Sequence, residues 1–575
     1  MKNKEVAVVF QRMADLLEVK GENPFRIRAY RRAAQHIENL AEDIAVVHRR
    51  RELDQMPGIG KDLAGKISEI VNTGTLRKFE ELKKEIPAGL LEVITIHGLG
   101  PRTAKALYEE LGVDSIDALE RLAKAHQLQG VPGIKSKTEN NILKGIELYR
   151  QKQKRMPLNS MLSFAREIMA DLRTVKGIRR MSVAGSLRRR KETIRDIDIV
   201  AVSSDPERVM DFFTGLSMVE TIQAKGRTKS SIRTAAGIQV DLRVVDSQCF
   251  GAALCYFTGS KAHNIRVREL AARKGIKVNE YGVFRNDSLI GGKEEEEVYK
   301  IIGLSFIPPE LREDSGEIEA ALEGKLPLLL ERKDIRGDLH VHSNYSDGTA
   351  TLEEISQKAE TMGHEWVAVC DHSQSLKVAG GVSRERMEEK IAAVKEFNRK
   401  SRTAKLLCGA EVDVNRDGTL DYPDELLARL DIVIAAVHSL FKQDEKTMTA
   451  RIVKAMRHPR VHCVAHPTGR LIGEREGYAV NLSVLMDEAA QTGTALEINA
   501  YPQRLDLNDV YCRMAGGRDL RLGIGTDAHR LDHMDYLEFG ISVARRGWLG
   551  KKSILNTLSY DALKAVLKKK ENLRP

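Results

Sequence analysis

Between residues 337 and 529 seven short apolar runs follow one another, GDLHVHS, WVAVCDH, LLCGAEVDV, DIVIAAVHS, VHCVAHP, ALEINA and LGIGTDAH, with helix-length segments between most of them. Alternation of this kind predicts a parallel α/β barrel or a closely related sheet. The runs also share an ending. His340 and His342, His372, Glu411, His438, His466, and Asp527 with His529 close six of the seven, and Asp347 lies in the loop after the first. A lone core histidine is usually a hydrogen-bonded structural group, but repetition at strand ends is a different signal. In an α/β barrel the C-terminal ends of the strands converge on one face, where catalysis sits. Nine imidazoles and carboxylates would meet there. Ten of the 15 histidines lie beyond residue 330, which points to metal chemistry in this half.

At 575 residues the chain is too long for one core, and three or more compact units are expected. Residues 1–330 hold 55 Lys+Arg against 46 Asp+Glu, whereas the remainder is nearly balanced, so the net charge of +10 belongs to the N-terminal part. No apolar run approaches a membrane span, and the N-terminus lacks the pattern of a secretory signal, so a cytoplasmic location is expected. Six singly placed cysteines, with no CxxC pair, read as buried reduced thiols.

Up to about residue 150 the pattern is helical. A short phrase recurs there as MPGIGKDLAGKI (56–67), IHGLGPRTAKAL (96–107) and VPGIKSKTENNI (131–142). Each places a glycine-containing hairpin before a helix, which aims backbone N–H groups at phosphate without reading bases. Gly58, Gly60, Gly98 and Gly100 are the expected DNA-binding positions; the third copy carries Lys135 where a second glycine is usual. One copy alone would read as an inter-helix turn, and three in a basic segment read as DNA binding.

From 151 to 245 strand patterns appear. Asp196 and Asp198 stand at i and i+2 in RDIDIV, which points both carboxylates to one strand face, and Asp241 in QVDLRVV can complete an oxygen-ligated site for two Mg2+ or Mn2+ ions. Upstream stands AGSLRRRKE (184–192). Here the chain resembles the nucleotidyltransferases of DNA polymerase family X, and the match continues through YFTGSKAHNIRVREL (256–270) and GIKVNEYGVFR (275–285). The resemblance makes Asp196, Asp198 and Asp241 catalytic metal ligands. It assigns Arg155, Gly185, Ser186 and Arg189 to the triphosphate, Tyr256, Phe257 and Gly259 to the sugar region, and Asn264 with Arg268 to base pair and template. Arg190 stands where better-known members have glycine, and Lys261 where some have an acidic residue. NPFRIRAYRRAA (23–34) and MPGIGKDLAGKISEI (56–70) resemble the small lyase domain of the same polymerases, which implies Lys66 as a Schiff-base lysine, its pKa lowered by Lys61, Arg31 and Arg32.

The strand-end set resembles the PHP family, in which up to three metals cluster on a distorted barrel. By that resemblance His340, His342, Glu411 and Asp527 hold one ion, Glu411, His438 and His466 a second, and Asp347, His372 and His529 a third. Mixed nitrogen and oxygen ligands suit Mn2+ or Zn2+ better than Mg2+ alone. The expected fold is therefore multidomain, α+β joined to α/β: a lyase-like helical DNA-binding domain over 1–80, a fingers-like helix-hairpin-helix domain over 81–150, a family X palm over 151–248, a thumb-like nucleotide-selection subdomain over 249–315, a linker over 316–335 and a PHP distorted (β/α)7 barrel over 336–575. The implied activity is DNA-directed nucleotide addition at short gaps during base excision repair, on gapped or primer-template DNA with dNTPs, in a monomer. Metal-dependent 3'-5' trimming and cleavage at abasic sites are implied for the barrel. A phosphatase of a small phosphorylated metabolite and a non-catalytic DNA-end scaffold are the competing readings.

Overall fold

The computed structural model describes residues 3–571 apart from 39–43, 57–58, 74, 87, 95, 97–98, 132–133, 154, 402–403 and 519. The chain divides into two compact units, Met1–Arg155 and Met156–Pro575.

In the first unit the opening stretch forms the helix Asn3–Val19, and its apolar stripe Val6, Phe10, Met13 and Leu17 is at most 1% exposed. Phe10 meets Tyr30 of the helix Pro24–Glu38 edge to face, ring centroids 5.3 Å apart. One continuous apolar cluster then runs from Val6 to Ile146, so the core has no break near residue 80. Gly60 directly precedes the helix Lys61–Thr73. Gly100 is the N-cap of Pro101–Leu111, whose first-turn N–H groups have no side-chain cap, the condition in which a helix start can take an anion. Gly58 and Gly98 lie outside the described residues.

The second unit opens with a five-stranded sheet in the order Ile178–Val183, Asp196–Ser203, Gln239–Val244, Lys229–Thr234, Val219–Lys225. Its central pair is parallel, the other pairings antiparallel. Helices Phe250–Thr258 and Lys261–Ala272 lead into a small three-stranded sheet.

The barrel has seven parallel strands in chain order: Gly337–Val341, Trp366–His372, Lys405–Asp413, Ile432–Ala436, Cys463–Val464, Ala495–Asn499 and Leu522–Gly525. The ring closes at the top, where Asp527 N donates to His340 O at 2.9 Å and His342 N to Ala528 O at 2.8 Å. Alternation sorts the side chains. Trp366, Ala368 and Cys370 fill one buried cluster with Leu407, Ile432, Ile434 and Ala436, whereas Val367, Val369, Leu406 and Val433 join the cluster beneath the surrounding helices. His372, Glu411 and His438 continue the first series at its upper end. The last helix, Tyr560–Glu571, puts Leu563 and Leu567 into that same cluster. Lys570, near the end of the same helix, is buried and donates to His458 O at 2.6 Å.

Candidate active sites

In the sheet of the second unit, parallel pairing sets Asp196 opposite Gln239 and Asp198 opposite Asp241. Residues so paired share a face, and Asp196 joins them through its two-residue offset. Gly185, with φ of 60°, lies so close to Asp198 that an added Cβ would come within 2.3 Å of the Asp198 carboxylate. Asp241 accepts from Ser231 Oγ and, at 3.0 Å, from Gln239 Nε2; Asp196 accepts from Arg195 at 3.0 Å. Burial, with Asp196 and Asp241 as like-charged neighbours, pushes Asp198 up to about 7. Three carboxylates arranged so that one of them resists ionisation fit a divalent cation as counter-charge, although their oxygens do not converge as tightly as the barrel ligands do.

Around this face Arg189 donates from Nε to Glu313 Oε1 at 3.0 Å and from Nη1 to the Thr258 carbonyl. Ser186 lies in the short helix Gly185–Arg188. Tyr256 is exposed and packs edge to face on Phe257 at 5.1 Å, while its carbonyl accepts from Asn264 Nδ2 at 2.7 Å. Gly259 has φ of 69° and abuts Arg189 Nη1. Tyr256, Asn264 and Arg268 line one small pocket. Arg190 has φ of 56°, which explains why glycine suits that position. Lys261 starts the helix Lys261–Ala272. Arg155 closes the first unit and is exposed.

Lys66 differs from its expectation. Its Nζ pairs with Asp62 and lies 5.3 Å over the Tyr30 ring. Burial opposes the charge, but Asp62 and Tyr30 outweigh it and raise the pKa. Arg31 is itself paired with Asp15 and Glu18.

At the barrel mouth all nine expected groups meet. Among the described residues three sets have ligand atoms within 4.8 Å of one another: His342, Asp347, His372 and His529; His340, His342 and Asp527; and His372, Glu411 and His438. His372 thus groups with Glu411 and His438 as well as with Asp347 and His529, and His342 belongs to two sets. His466 Nε2 is 2.9 Å from Glu411 Oε1. Two facts fit the cluster to cations. His340 Nε2 and His342 Nε2 face each other at 3.1 Å. Glu411 Oε2, buried and 2.8 Å from His372 Nδ1, makes no hydrogen bond with it. Burial, with His372 and His529 nearby, holds His342 down to about 3, whereas Glu411 and Asp413 lift His438 to about 10 against its burial.

Two carboxylates here were missed in the sequence. Glu497 accepts from His340 Nδ1 at 2.8 Å and from His466 N at 2.6 Å, and Asp413 Oδ1 lies 3.0 Å from His438 Nδ1. Such partners fix the ring orientation of metal-binding imidazoles. Glu497 sits in ALEINA, the one run without a strand-end ligand, and a carboxylate inside an apolar strand was its signal.

Family models match in the same order: a helix-hairpin-helix domain over residues 1–76, a SAM-like helix-hairpin-helix tandem over 90–147, a DNA polymerase beta thumb over 253–313 and a PHP domain over 338–498. Fold and sites together define a polymerase of the beta-like class joined to a PHP phosphoesterase barrel. Over 575 residues the chain is 36% identical to the DNA polymerase/3'-5' exonuclease PolX of Bacillus subtilis (strain 168), covering 99% of this chain and 100% of that protein. The chain belongs to the bacterial PolX family. DNA polymerase lambda of Rattus norvegicus is 23% identical over 344 residues, and that of Arabidopsis thaliana 24% over 347, each spanning 54% of this chain and 56% and 62% of their own lengths.

Proposed function

We propose that this chain, a DNA-directed DNA polymerase with 3'-5' exonuclease activity, fills short gaps during base excision repair in the cytoplasm and cleans the 3' ends it extends. The observation that carries the reading is the pairing of Asp198 with Asp241 across two parallel strands, with Gly185 of the GS motif against Asp198. In this reading Asp196, Asp198 and Asp241 hold two Mg2+ or Mn2+ ions, and the barrel residues hold up to three Mn2+ or Zn2+ ions. When bound, these cations supply Lewis acidity and charge neutralisation at phosphorus.

The chain's own residues do the rest. Ser186 and Arg189 grip the triphosphate, and Gly185 lets the backbone approach it. Tyr256, Phe257 and Gly259 shape the floor under the sugar, while Asn264 and Arg268 face the base pair and template. Without a cation Asp198 keeps a carboxyl proton up to about pH 7, so a cation binding there has to displace that proton. In the barrel, Glu497 and Asp413 keep the lone pairs of His340 and His438 aimed inward. Hairpin glycines 58, 60, 98 and 100 hold the DNA backbone. A 5'-deoxyribose phosphate lyase step would need Lys66 to leave Asp62 and lose its proton, and abasic-site cleavage would fall to the barrel cluster.

Primer extension on a one-nucleotide gap with Mn2+ tests the reading. Asp198→Ala should lose extension by at least about 1,000-fold; extension at the wild-type rate would return the chain to a phosphatase or scaffold reading.

A further inference from the structure

The GS segment is seated on the barrel domain. Arg546, the last residue of the helix Leu537–Arg546, is buried and engaged at every nitrogen. Nε and Nη2 donate to Asp509 Oδ2 at 2.9 and 2.6 Å, which anchors the fork within its own domain. Nη1 donates to the Arg189 carbonyl at 2.7 Å and to Glu313 Oε1 at 3.1 Å. That same Glu313 oxygen accepts from Arg189 Nε at 3.0 Å. One guanidinium from the barrel domain therefore fixes Arg189 twice, through its main chain and through the carboxylate that orients its side chain. A planar fork with five donors suits such a peg, whereas an ammonium reaches fewer acceptors.

Two further features favour a positioning role. The residue after Arg189 has φ of 56°, a costly conformation for an arginine that needs support from its surroundings. Two residues beyond it, Glu192 accepts from Arg470 Nη2 at 2.8 Å, and Arg470 Nε also donates to the Arg504 carbonyl at 2.9 Å. The segment from 185 to 192 is thus held at Arg189 and again at Glu192 by arginines of the barrel domain.

We infer that Arg546 is a positioning residue for nucleotide addition: the PHP domain, besides hydrolysing phosphoesters, supplies the peg that holds Arg189 ready for the triphosphate of an incoming dNTP. This rests on the reading of Arg189 as a triphosphate ligand. The peg touches neither metal cluster, so its loss should act on nucleotide binding and spare 3' trimming.

Steady-state gap filling with full-length Arg546→Gln, Arg546→Lys and Arg189→Gln, with 3' trimming measured on the same preparations, tests the inference. Arg546→Gln should raise KM for dNTP about tenfold, Arg546→Lys less, with kcat and trimming within about threefold of wild type. An unchanged KM in Arg546→Gln alongside a raised KM in Arg189→Gln would overturn the inference and leave the triphosphate reading standing. An unchanged KM in Arg189→Gln would remove the reading itself. Should Arg546→Gln lose both activities through misfolding, Arg546→Lys decides, and an equal fall of trimming and extension in that variant also overturns it.

Discussion

His340 and His342 turn ring nitrogens toward each other at 3.1 Å inside a buried cluster. Because Glu497 holds the Nδ1 proton of His340, His340 Nε2 presents a lone pair there that either His342 Nε2–H or a cation can meet. The carboxylate behind His340 sets its tautomer. Glu497→Gln should lower metal affinity or 3' trimming about 10- to 100-fold while leaving extension unchanged, as metal titration and a trimming assay would show. His364 illustrates a buried imidazole of another kind. Both its nitrogens lack partners, and burial, aided by Arg332, holds its pKa down to about 4. Since the unfolded value is 6.5, the unfolded chain binds more protons between these limits, and stability is full above pH 6.5 and falls as pH drops toward 4. Melting of the wild type and His364→Leu at pH 7.5 and 5 should show the variant losing less on acidification, by about 2 kcal/mol.

At the level of elements, the two-residue period did most of the work of making the sites legible. Strand runs such as WVAVCDH show an inward series and its terminal ligand in plain view, and RDIDIV does the same for the palm aspartates. What the period cannot show is contact between runs, and for that reason Glu497 and Asp413 went unseen. The sharing of His372 between two ligand sets likewise depends on how neighbouring strands are staggered. The pKa of Lys66 is raised, where a lowering was expected, for a related reason: its near neighbours in sequence include cations, but the helix places Asp62 one turn away. A buried ion pair shows what holds the first barrel loop. Lys390 meets Asp371 at 2.6 Å with both side chains fully buried, and Asp371 accepts from Ser343 N and Ser346 Oγ, in the loop that carries Asp347. Lys390→Met should destabilise the barrel by about 3–5 kcal/mol in a denaturant titration, because Asp371 is left without a counter-charge.

For the whole molecule, domain order and the grouping of side chains at the barrel mouth were readable from motifs alone, whereas the seating of the GS segment on the barrel was not. That seating depends on Arg546, Arg470 and Glu313, each of which reads in the sequence as an ordinary surface charge. The account assigns two chemistries to two separate clusters, one of carboxylates on the palm sheet and one of imidazoles and carboxylates in the barrel mouth. Its most direct test is 3' trimming and gap filling by one preparation of His342→Ala. The account predicts that trimming falls to background while nucleotide addition stays at the wild-type rate. Loss of both activities in a variant that melts as the wild type does would contradict it.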